Sequence, residues 1–312
     1  MASIGCEKMK ALVTDPTSKE GLEVLTEKKI EYDYRPEISR DELLQIVKKY
    51  DALLVRGATK VNNKVFERGE KLKAVGRIGV GLDNIDLDSA SKHGVQVVNA
   101  GDAPANSVAE LTIGLLISLA RNIPFGDRSM KEGSYAKKEC FGQTLATKTL
   151  GVIGFGNIGN RVGKVASAMG MNVLAYDVEP WVIDKSGISA RKVGLDELLE
   201  KSDFITVHVP LIPPTRGLLG EEEVQKMKDG VYLINTSRLY VYEKDAIING
   251  LKSGKIAGVA VDSDKTHDDP FVKALLKFDK CIITPHIGSQ TALTQKLAAQ
   301  VTSSRVAGIL AS

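Results

Sequence analysis

Cysteine is scarce in this sequence of 312 residues, which contains only Cys6, Cys140 and Cys281. The three cysteines are widely spaced and odd in number, which favours neither a disulfide framework nor a paired metal site. We therefore expect no metal centre. Because unpaired thiols are typical of a reducing compartment, we also expect a cytoplasmic protein.

Long hydrophobic runs and a strong excess of one charge are also missing. The longest apolar run, residues 111–120, is far shorter than the roughly 20 residues that a membrane-spanning helix needs. The first thirty residues contain no apolar segment typical of signal peptides. The net charge is only +3, and the basic pair Lys137-Lys138 has no interleaved aromatic residues. These features argue against a membrane protein and against a nucleic-acid-binding protein.

Short apolar runs alternate with helix-like segments along nearly the whole chain. Such alternation is typical of parallel sheets covered by helices, and the length allows about two domains. We predict an α/β protein with two doubly wound parallel sheets. Capping boxes at Thr17-x-x-Glu20 and Ser39-x-x-Glu42 predict two helix starts. Strands are predicted at residues 10–13, 52–55, 74–78, 95–98, 150–153, 173–176, 204–209, 231–235, 257–261 and 282–284, and further helices at 106–121, 160–169 and 291–310.

A glycine-rich motif, Gly154-Phe155-Gly156-Asn157-Ile158-Gly159, lies between a predicted strand and a predicted helix. The first glycine permits a tight turn, the second a close approach of the backbone to a pyrophosphate, and the third close packing of helix on strand. Asp177 ends the next strand, 18 residues after Gly159. A carboxylate there accepts hydrogen bonds from both ribose hydroxyls and repels a 2′-phosphate. The motif therefore predicts binding of NAD in preference to NADP.

At this point the chain resembles the D-isomer-specific 2-hydroxyacid dehydrogenases, and within them the branch that acts on D-3-phosphoglycerate. The resemblance extends over about residues 10–310. It is carried by Val55-Arg56-Gly57-Ala58-Thr59-Lys60-Val61, Gly76-Arg77-Ile78-Gly79-Val80-Gly81-Leu82-Asp83-Asn84-Ile85-Asp86, Asn106-Ser107-Val108-Ala109-Glu110-Leu111, Asn235-Thr236-Ser237-Arg238 and Thr284-Pro285-His286-Ile287-Gly288.

The resemblance implies two Rossmann-like or flavodoxin-like domains. An NAD-binding domain, residues 103–285, is inserted into a substrate-binding domain made of residues 1–102 and 286–312. The family's active site lies in the cleft between such domains, and its members are usually homodimers built through the NAD-binding domain. The expected partners are thus a small 2-hydroxy or 2-keto acid and a second copy of the chain.

Hydride transfer from a 2-hydroxy acid needs a cation for the carboxylate and a group that exchanges the hydroxyl proton. Arg238 follows a predicted strand, and its guanidinium suits a carboxylate. His286 has a side chain that exchanges protons near neutral pH. We predict that Arg238 binds and polarises the substrate and that His286 is the acid/base.

The resemblance also implies the residues that bind substrate and cofactor. Gly79, Val80 and Gly81 correspond to a loop that binds the substrate carboxylate through backbone N–H groups, while Arg56, with Gly57 and Lys60, is expected to bind a distal phosphate. Asp262 is expected to hold the nicotinamide carboxamide. Further cofactor contacts are expected from Asn106, Val108, His208, Val209, Pro210, Thr215, Thr236, Ser237, Arg238, His286 and Gly288.

One segment departs from the family pattern. Where the family has Asp-Val-Phe-x-x-Glu-Pro, with a glutamate that orients the histidine, residues 262–270 read Asp-Ser-Asp-Lys-Thr-His-Asp-Asp-Pro. The position of the glutamate is His267, and Asp268 or Asp269 could replace it after a small loop shift. Leu239 also stands in place of the glycine that usually follows the arginine. We expect these departures to affect the catalytic rate and the pH optimum and to leave cofactor binding intact.

Three functions remain open from the sequence. The first is oxidation of D-3-phosphoglycerate in serine biosynthesis, which Arg56 and Lys60 favour. The second is reduction of a smaller acid such as glyoxylate or hydroxypyruvate. The third is an NADH-sensing binding protein without strong catalysis, which only the altered segment 264–270 favours. A panel of 2-hydroxy and 2-keto acids would separate them.

Overall fold

The computed structural model describes residues 8–185, 187 and 189–312. Cys6 lies outside these residues. The chain divides into two compact units, residues 1–104 with 289–312, and residues 105–288. The division falls two or three residues from the boundaries expected from the sequence. Each unit is built on its own parallel sheet.

The sheet of the first unit has five strands in the order β2-β1-β3-β4-β5. All of its neighbouring strands pair in parallel. Consecutive residues of β1 face opposite sides, so that Ala11 and Val13 enter one core and Leu12 enters the other. The strands are β1 (Lys10–Val13), β2 (Glu31–Tyr34), β3 (Ala52–Val55), β4 (Ala74–Arg77) and β5 (Gln96–Asn99).

Helices cover both faces of this sheet. Helices α1 (Lys19–Glu27) and α13 (Ala292–Ala311) pack on one face, and α2 (Arg40–Ile46), α3 (Asn63–Arg68) and α4 (Leu87–Lys92) on the other. Small residues allow α1 and α13 to approach closely, since a Cβ atom added at Gly21 would lie 2.6 Å from the Cβ of Ala299.

The sheet of the second unit has seven parallel strands in the order β12-β11-β10-β9-β6-β7-β8. Chain order reverses at β6, because the strands that follow lie first on one side of it and then on the other. Loops at the carboxyl ends of strands next to such a reversal are the usual ligand sites of open α/β sheets. The strands are β6 (Thr149–Ile153), β7 (Asn172–Tyr176), β8 (Arg191–Lys192), β9 (Phe204–Val207), β10 (Val231–Asn235), β11 (Ile256–Asp262) and β12 (Cys281–Thr284).

The helices of the second unit also lie on both faces of the sheet, where two separate buried clusters form. They are α5 (Ala105–Ala120), α6 (Ile123–Lys131), α7 (Asn157–Ala168), α8 (Trp181–Asp184), α9 (Leu195–Lys201), α10 (Glu221–Lys226), α11 (Lys244–Ser253) and α12 (Pro270–Leu275). Short 3₁₀ turns occur at Val47–Lys49, Pro213–Thr215 and Leu239–Val241.

The predicted α/β class with doubly wound parallel sheets is confirmed. Two short strands were missed, because β2 reads Glu-Tyr-Asp-Tyr and β8 has only the two residues Arg191 and Lys192. Neither has the apolar character by which strands are recognised. The helix start at Ser39 is confirmed, since its Oγ accepts the N–H of Glu42, but the side chain of Glu42 accepts from Arg35 and does not complete the capping box.

The capping box at Thr17 is wrong, since α1 begins one residue later with Ser18 at its N-cap and no side-chain cap. The helix of the glycine motif begins at Asn157 and not at Asn160, so the motif forms its first turn.

Within the part of the chain that the structure describes, no single helix is long and apolar enough to span a membrane. Helices α5 and α6 pass that test only as a pair, with a bend of 66° between them. Most of α5 is buried in the second unit.

Candidate active site

The glycine motif forms the turn between β6 and α7. Gly154 has a φ of 87°, and a Cβ atom there would lie 2.7 Å from the carbonyl oxygen of His208. At Gly159 a Cβ atom would lie 2.1 Å from the carbonyl oxygen of Gly154. Packing therefore requires glycine at both positions. At Gly156 a Cβ atom would meet nothing within 4 Å, which leaves the N-terminus of α7 open to a ligand.

Asp177 follows β7 and holds this turn. Its Oδ2 accepts the backbone N–H of Phe155 at 2.7 Å, and its Oδ1 accepts that of Glu179 at 2.9 Å. Each carboxylate oxygen can accept more than one hydrogen bond, so both keep capacity for a ligand hydroxyl. An open helix N-terminus beside such a carboxylate suits the pyrophosphate and ribose of a dinucleotide.

The loop after β9 lies against the glycine turn. The side chain of Val209 lies against Gly154, and the hydroxyl of Thr215 donates to the carbonyl oxygen of Pro210. The Nε2 of His208 lies 3.0 Å from the Oγ1 of Thr206, while its Nδ1 is buried without a hydrogen-bond partner among the described residues. Burial lowers the pKa of His208 to about 3. This imidazole is therefore neutral near pH 7.

The loop after β10 carries Arg238. Asn235 shapes the loop, because its side-chain amide donates to the carbonyl oxygen of Arg238 and its Oδ1 accepts the backbone N–H of Ser237. The Oδ1 of Asp264 accepts the N–H of Leu239 at 3.2 Å. The pKa of Asp264 is lowered although burial alone would raise it, since Lys265 and the N–H of Leu239 stabilise its charged form, with a smaller effect of Arg238.

The segment after β12 carries His286, which has a φ of 54°. The buried carboxylate of Asp262 clamps this segment. Its Oδ1 accepts the hydroxyl of Thr284 at 2.6 Å and the N–H of Ile287 at 2.8 Å, and its Oδ2 accepts the N–H of Gly288 at 2.8 Å. The backbone of His286 is thus fixed from both sides, while its ring is exposed.

Neither aspartate considered for the missing glutamate forms a hydrogen bond or ion pair with His286 among the described residues. Asp269 is the N-cap of α12, where it accepts the N–H of Phe271, and it also accepts the hydroxyl of Tyr240 at 2.9 Å. Asp268 is exposed and pairs with Lys273 at 3.1 Å. His267 is exposed as well. Asp269 thus caps the start of a helix, whereas Asp268 belongs to a surface ion pair.

The beginning of α5 is tied to the same sheet edge. The Oδ1 of Asn106 accepts the Nε–H of Arg161, whose Nη1 donates to the carbonyl oxygen of Asn157. Lower on the helix, the hydroxyls of Thr112 and Thr236 lie 2.9 Å apart. The side chain of Val108 packs at Gly288, where a Cβ atom would lie 3.2 Å from it. The glycine motif, the Arg238 loop and the His286 segment are therefore contiguous in the second unit.

In the first unit, the loop after β3 carries Arg56, Gly57 and Lys60. The backbone N–H of Arg56 donates to the Oδ2 of Asp15 at 2.5 Å. No described residue forms a hydrogen bond or ion pair with the side chain of Arg56 or of Lys60. A Cβ atom at Gly57 would meet nothing within 4 Å. The loop thus presents two unpaired cations beside open space.

The loop after β4 carries the three residues expected to bind a carboxylate. The N–H of Gly79 is already donated to the carbonyl oxygen of Arg77 at 2.9 Å. No described residue accepts the N–H of Val80 or of Gly81. The side-chain amide of Asn99 holds the loop at the carbonyl oxygen of Val80. Only two of the three N–H groups are thus available to an anion.

Residues 113–288, more than half of the chain, match the family model of the NAD-binding domain of D-isomer specific 2-hydroxyacid dehydrogenases. The chain belongs to this family. Its second unit contains the NAD-binding domain.

Relatives in the dehydrogenase family differ in their substrates. A D-3-phosphoglycerate dehydrogenase of Methanocaldococcus jannaschii is 41% identical over 304 residues, which is 97% of this chain and 57% of that protein. A hydroxypyruvate reductase of Thermotoga maritima is 42% identical over 287 residues, 91% of this chain and 92% of that protein. The structure of a glyoxylate reductase from Paecilomyes thermophila has a TM-score of 0.82 at 28% identity, covering 94% and 92% of the two chains.

The chain spans little more than half the length of the phosphoglycerate dehydrogenases that it matches, 57% and 54% for two archaeal examples.

The family motifs did not reveal the residues that hold the site loops. Asp15, Asp264 and Arg161 were missed. Asp15 could have been found by the signal that found Asp177, since both are carboxylates within two residues of the end of an apolar strand. Asp264 stands at a position where the family pattern has an apolar residue, and Arg161 is recognised only once α5 and α7 are seen side by side.

The depressed pKa of His208 predicts a loss of stability in acid. Between about pH 3 and pH 6.5 the folded protein binds fewer protons at this residue than the unfolded chain. The stability that depends on neutral His208 is therefore complete above pH 6.5 and falls as the pH decreases towards 3. In His208→Gln this part of the pH dependence should be missing when unfolding free energies are measured by urea titration.

A His267→Gln variant is the matched control, because that ring is 81% exposed and its removal leaves the core unchanged. If the pH dependence of His208→Gln equals that of the parent, His208 is not the buried neutral group that the structure indicates.

Proposed function

We propose that this chain oxidises D-3-phosphoglycerate to 3-phosphohydroxypyruvate with NAD, and that it reduces the keto acid in the reverse direction. The observation that carries the proposal is the loop after β3, which presents Arg56 and Lys60 without partners among the described residues. A small unphosphorylated 2-hydroxy acid needs no such pair of cations. The identity of 41% to a phosphoglycerate dehydrogenase supports the same substrate.

In the proposed reaction Arg238 binds the substrate carboxylate and polarises the oxygen on C2. Its guanidinium has a fixed geometry that suits two oxygens at once. The N–H groups of Val80 and Gly81, which no described residue accepts, are proposed to bind the substrate carboxylate as well. His286 accepts the proton of the C2 hydroxyl as the carbonyl forms, and it returns the proton in the reverse direction. The glycine motif and Asp177 would hold NAD, whose nicotinamide would supply the hydride acceptor for C2.

Asp262 holds the His286 segment, but it does not replace the missing glutamate, because the family pattern Asp-Val-Phe-x-x-Glu-Pro contains both acids. A glutamate beside the histidine orients the ring and stabilises its protonated form. Here His286 is held through its backbone, because both oxygens of Asp262 bind the segment on its two sides. We infer that the imidazole is positioned without a carboxylate partner. Such an enzyme is expected to be slower than relatives that have the glutamate.

Preference for NAD over NADP follows from Asp177. Its carboxylate is fixed by the N–H groups of Phe155 and Glu179, with lone pairs left for the ribose hydroxyls. A 2′-phosphate at that place would lie against this negative charge. The cofactor contacts inferred for Asn106, Thr236, Ser237 and Gly288 belong to the same edge of the sheet.

We further propose a homodimer formed through the second unit. Phe141 is 90% exposed and Tyr135 is 78% exposed. The segment that bears Phe141 is anchored, since its carbonyl oxygen accepts a hydrogen bond from Asn122 and the N–H of Gln143 donates to Ala120. Large aromatic side chains on an ordered surface segment are typical of protein interfaces.

We also propose that the protein acts in the cytoplasm, because Cys140 and Cys281 are free thiols, which are typical of a reducing compartment.

A second candidate is reduction of hydroxypyruvate or glyoxylate. The Thermotoga maritima relative favours it, because that hydroxypyruvate reductase is covered over 92% of its length by this chain. A third, NADH sensing with weak catalysis, is favoured only by the absence of the family's glutamate. The retained pair of Arg238 and His286 argues against it.

Arg56→Ala tests the proposed substrate. We expect kcat/KM for D-3-phosphoglycerate to fall by a factor of about 10 to 100, because a hydrogen bond to a charged group is worth about 1.5–3 kcal/mol. The value for unphosphorylated D-glycerate should change little. Both are measured by the absorbance of NADH, alongside glyoxylate and hydroxypyruvate. Arg68→Ala on the nearby helix α3 is the control. A parent that prefers the unphosphorylated acids would contradict the proposal.

Asp177→Ala should relax the choice of cofactor. Removing the carboxylate abolishes repulsion of the 2′-phosphate and leaves the N–H of Phe155 without its partner. We expect kcat/KM with NAD to fall and the ratio for NAD over NADP to decrease by about tenfold or more. Asp184→Ala, on the next helix, is the control. Equal discrimination in parent and Asp177→Ala would show that another residue excludes NADP.

Phe141→Asp should weaken the dimer. A charge at a position buried between subunits costs several kcal/mol, whereas the same change at a free surface costs little. Sedimentation velocity should therefore detect monomers of Phe141→Asp at concentrations where the parent is dimeric. Leu276→Asp is the matched control, because Leu276 is also exposed in the second unit, at 59%. A monomeric parent would overturn the proposal directly.

A further inference from the structure

Asp15 is a buried carboxylate with no part in the chemistry described above. It stands directly after Thr14 at the carboxyl end of β1, and the residue is only 2% exposed. A carboxylate is almost never buried to this degree unless it is paired or fully hydrogen-bonded. The partners of Asp15 therefore indicate why it is there.

All hydrogen bonds recorded for the Asp15 carboxylate come from one segment, residues 56–59. Its Oδ2 accepts the N–H of Arg56 at 2.5 Å. Its Oδ1 accepts the hydroxyl of Thr59 at 2.6 Å and its N–H at 3.2 Å. The same Thr59 hydroxyl lies 2.9 Å from the hydroxyl of Thr14. Hydrogen bonds to the end of β1 thus hold both ends of the turn formed by residues 56–59.

The other side of this turn is held as well. The side-chain amide of Asn84 donates to the carbonyl oxygen of Thr59 at 2.7 Å, and Val61 pairs with Ile85 in an isolated parallel bridge. The backbone of residues 56–61 is therefore fixed although it forms no strand or helix. Only the side chains of Arg56 and Lys60 are left without a recorded partner.

We propose that Asp15 is a positioning residue, which fixes the backbone at Arg56 so that its guanidinium binds the anionic group at the far end of the substrate. The proposal rests on the proposed function, in which Arg56 reads that group. Holding the N–H of Arg56 fixes the direction in which its side chain leaves the backbone. Binding then costs less conformational entropy than it would from a mobile loop.

Asp15→Asn is the test variant. Asparagine has nearly the same size, but its NH₂ group would face an N–H donor where Asp15 offers an oxygen. Asp51→Asn is the matched control, since Asp51 accepts the N–H of Lys10 at 2.8 Å at the opposite end of the same strand. Both variants lose a bond between a carboxylate and the backbone, but only Asp15→Asn should affect the loop.

We expect Asp15→Asn to raise KM for D-3-phosphoglycerate about tenfold with a smaller effect on kcat. For D-glycerate, kcat/KM should change by no more than it does in Asp51→Asn. In the Arg56→Ala background, Asp15→Asn should add little, because the two residues act through the same contact. Thr59→Val, which removes only the hydroxyl that Asp15 binds, should give a weaker effect in the same direction and covers the case in which Asp15→Asn does not fold.

The role of Asp15 would be overturned if Asp15→Asn lowered kcat/KM equally for D-3-phosphoglycerate and D-glycerate. It would also be overturned if the variant only lowered the melting temperature, as Asp51→Asn does, and left the ratio of the two kcat/KM values unchanged. The parent enzyme reports separately on the proposed function. If the parent does not prefer the phosphorylated acid, Arg56 does not read phosphate and both proposals fail. If the parent prefers it and Asp15→Asn keeps that preference, only the inference about Asp15 fails.

Discussion

The loops that bear the candidate site depend on carboxylates that accept hydrogen bonds from backbone N–H groups. Asp15 binds the turn of Arg56, Asp177 the glycine turn, Asp264 the loop of Arg238 and Asp262 the segment of His286. Each of these aspartates stands at or just beyond the end of a strand, and each binds a loop at the end of another strand. A charged acceptor makes a stronger hydrogen bond than a neutral one. Loops of irregular backbone are thereby held to the ends of the strands.

In this arrangement the residues that hold the loops in place differ from the residues that are proposed to bind ligands. The aspartates are partly or fully buried and use their oxygens on the backbone, so the neighbouring side chains remain available to ligands. Arg56 has no recorded partner for its guanidinium, and the ring of His286 makes no hydrogen bond to a described residue. Positioned groups need little reorganisation when a substrate arrives, which is the main contribution of a protein to hydride transfer between two bound molecules.

Most of the fold could be predicted from the sequence, since buried parallel strands are continuous apolar runs. The glycine turn could be predicted too, because the motif places glycine where φ is 87° and where a Cβ atom would be too close to its neighbours. The polar edge strand Glu31–Tyr34 could not, because nothing in its composition distinguishes it from a loop. At the site, residue types pointed to Arg238 and His286. The second oxygen of Asp269 accepts the hydroxyl of Tyr240, which lies 29 residues away in sequence. Contacts of this kind follow from the folded chain and not from spacing.

Helix α13 has a consequence for the synthesis of the protein. It closes the core on one face of the first sheet, where it packs against α1 and β4, yet it is encoded after the whole second unit. Roughly 200 residues must therefore be added after the first sheet is complete, which takes about 10 to 40 seconds at ordinary elongation rates. During that interval the face of β4 at Gly76, on which Val306 and Thr302 of α13 pack, has no cover from that helix. The second unit is contiguous, so all of its residues are synthesised before the segment that completes the first unit.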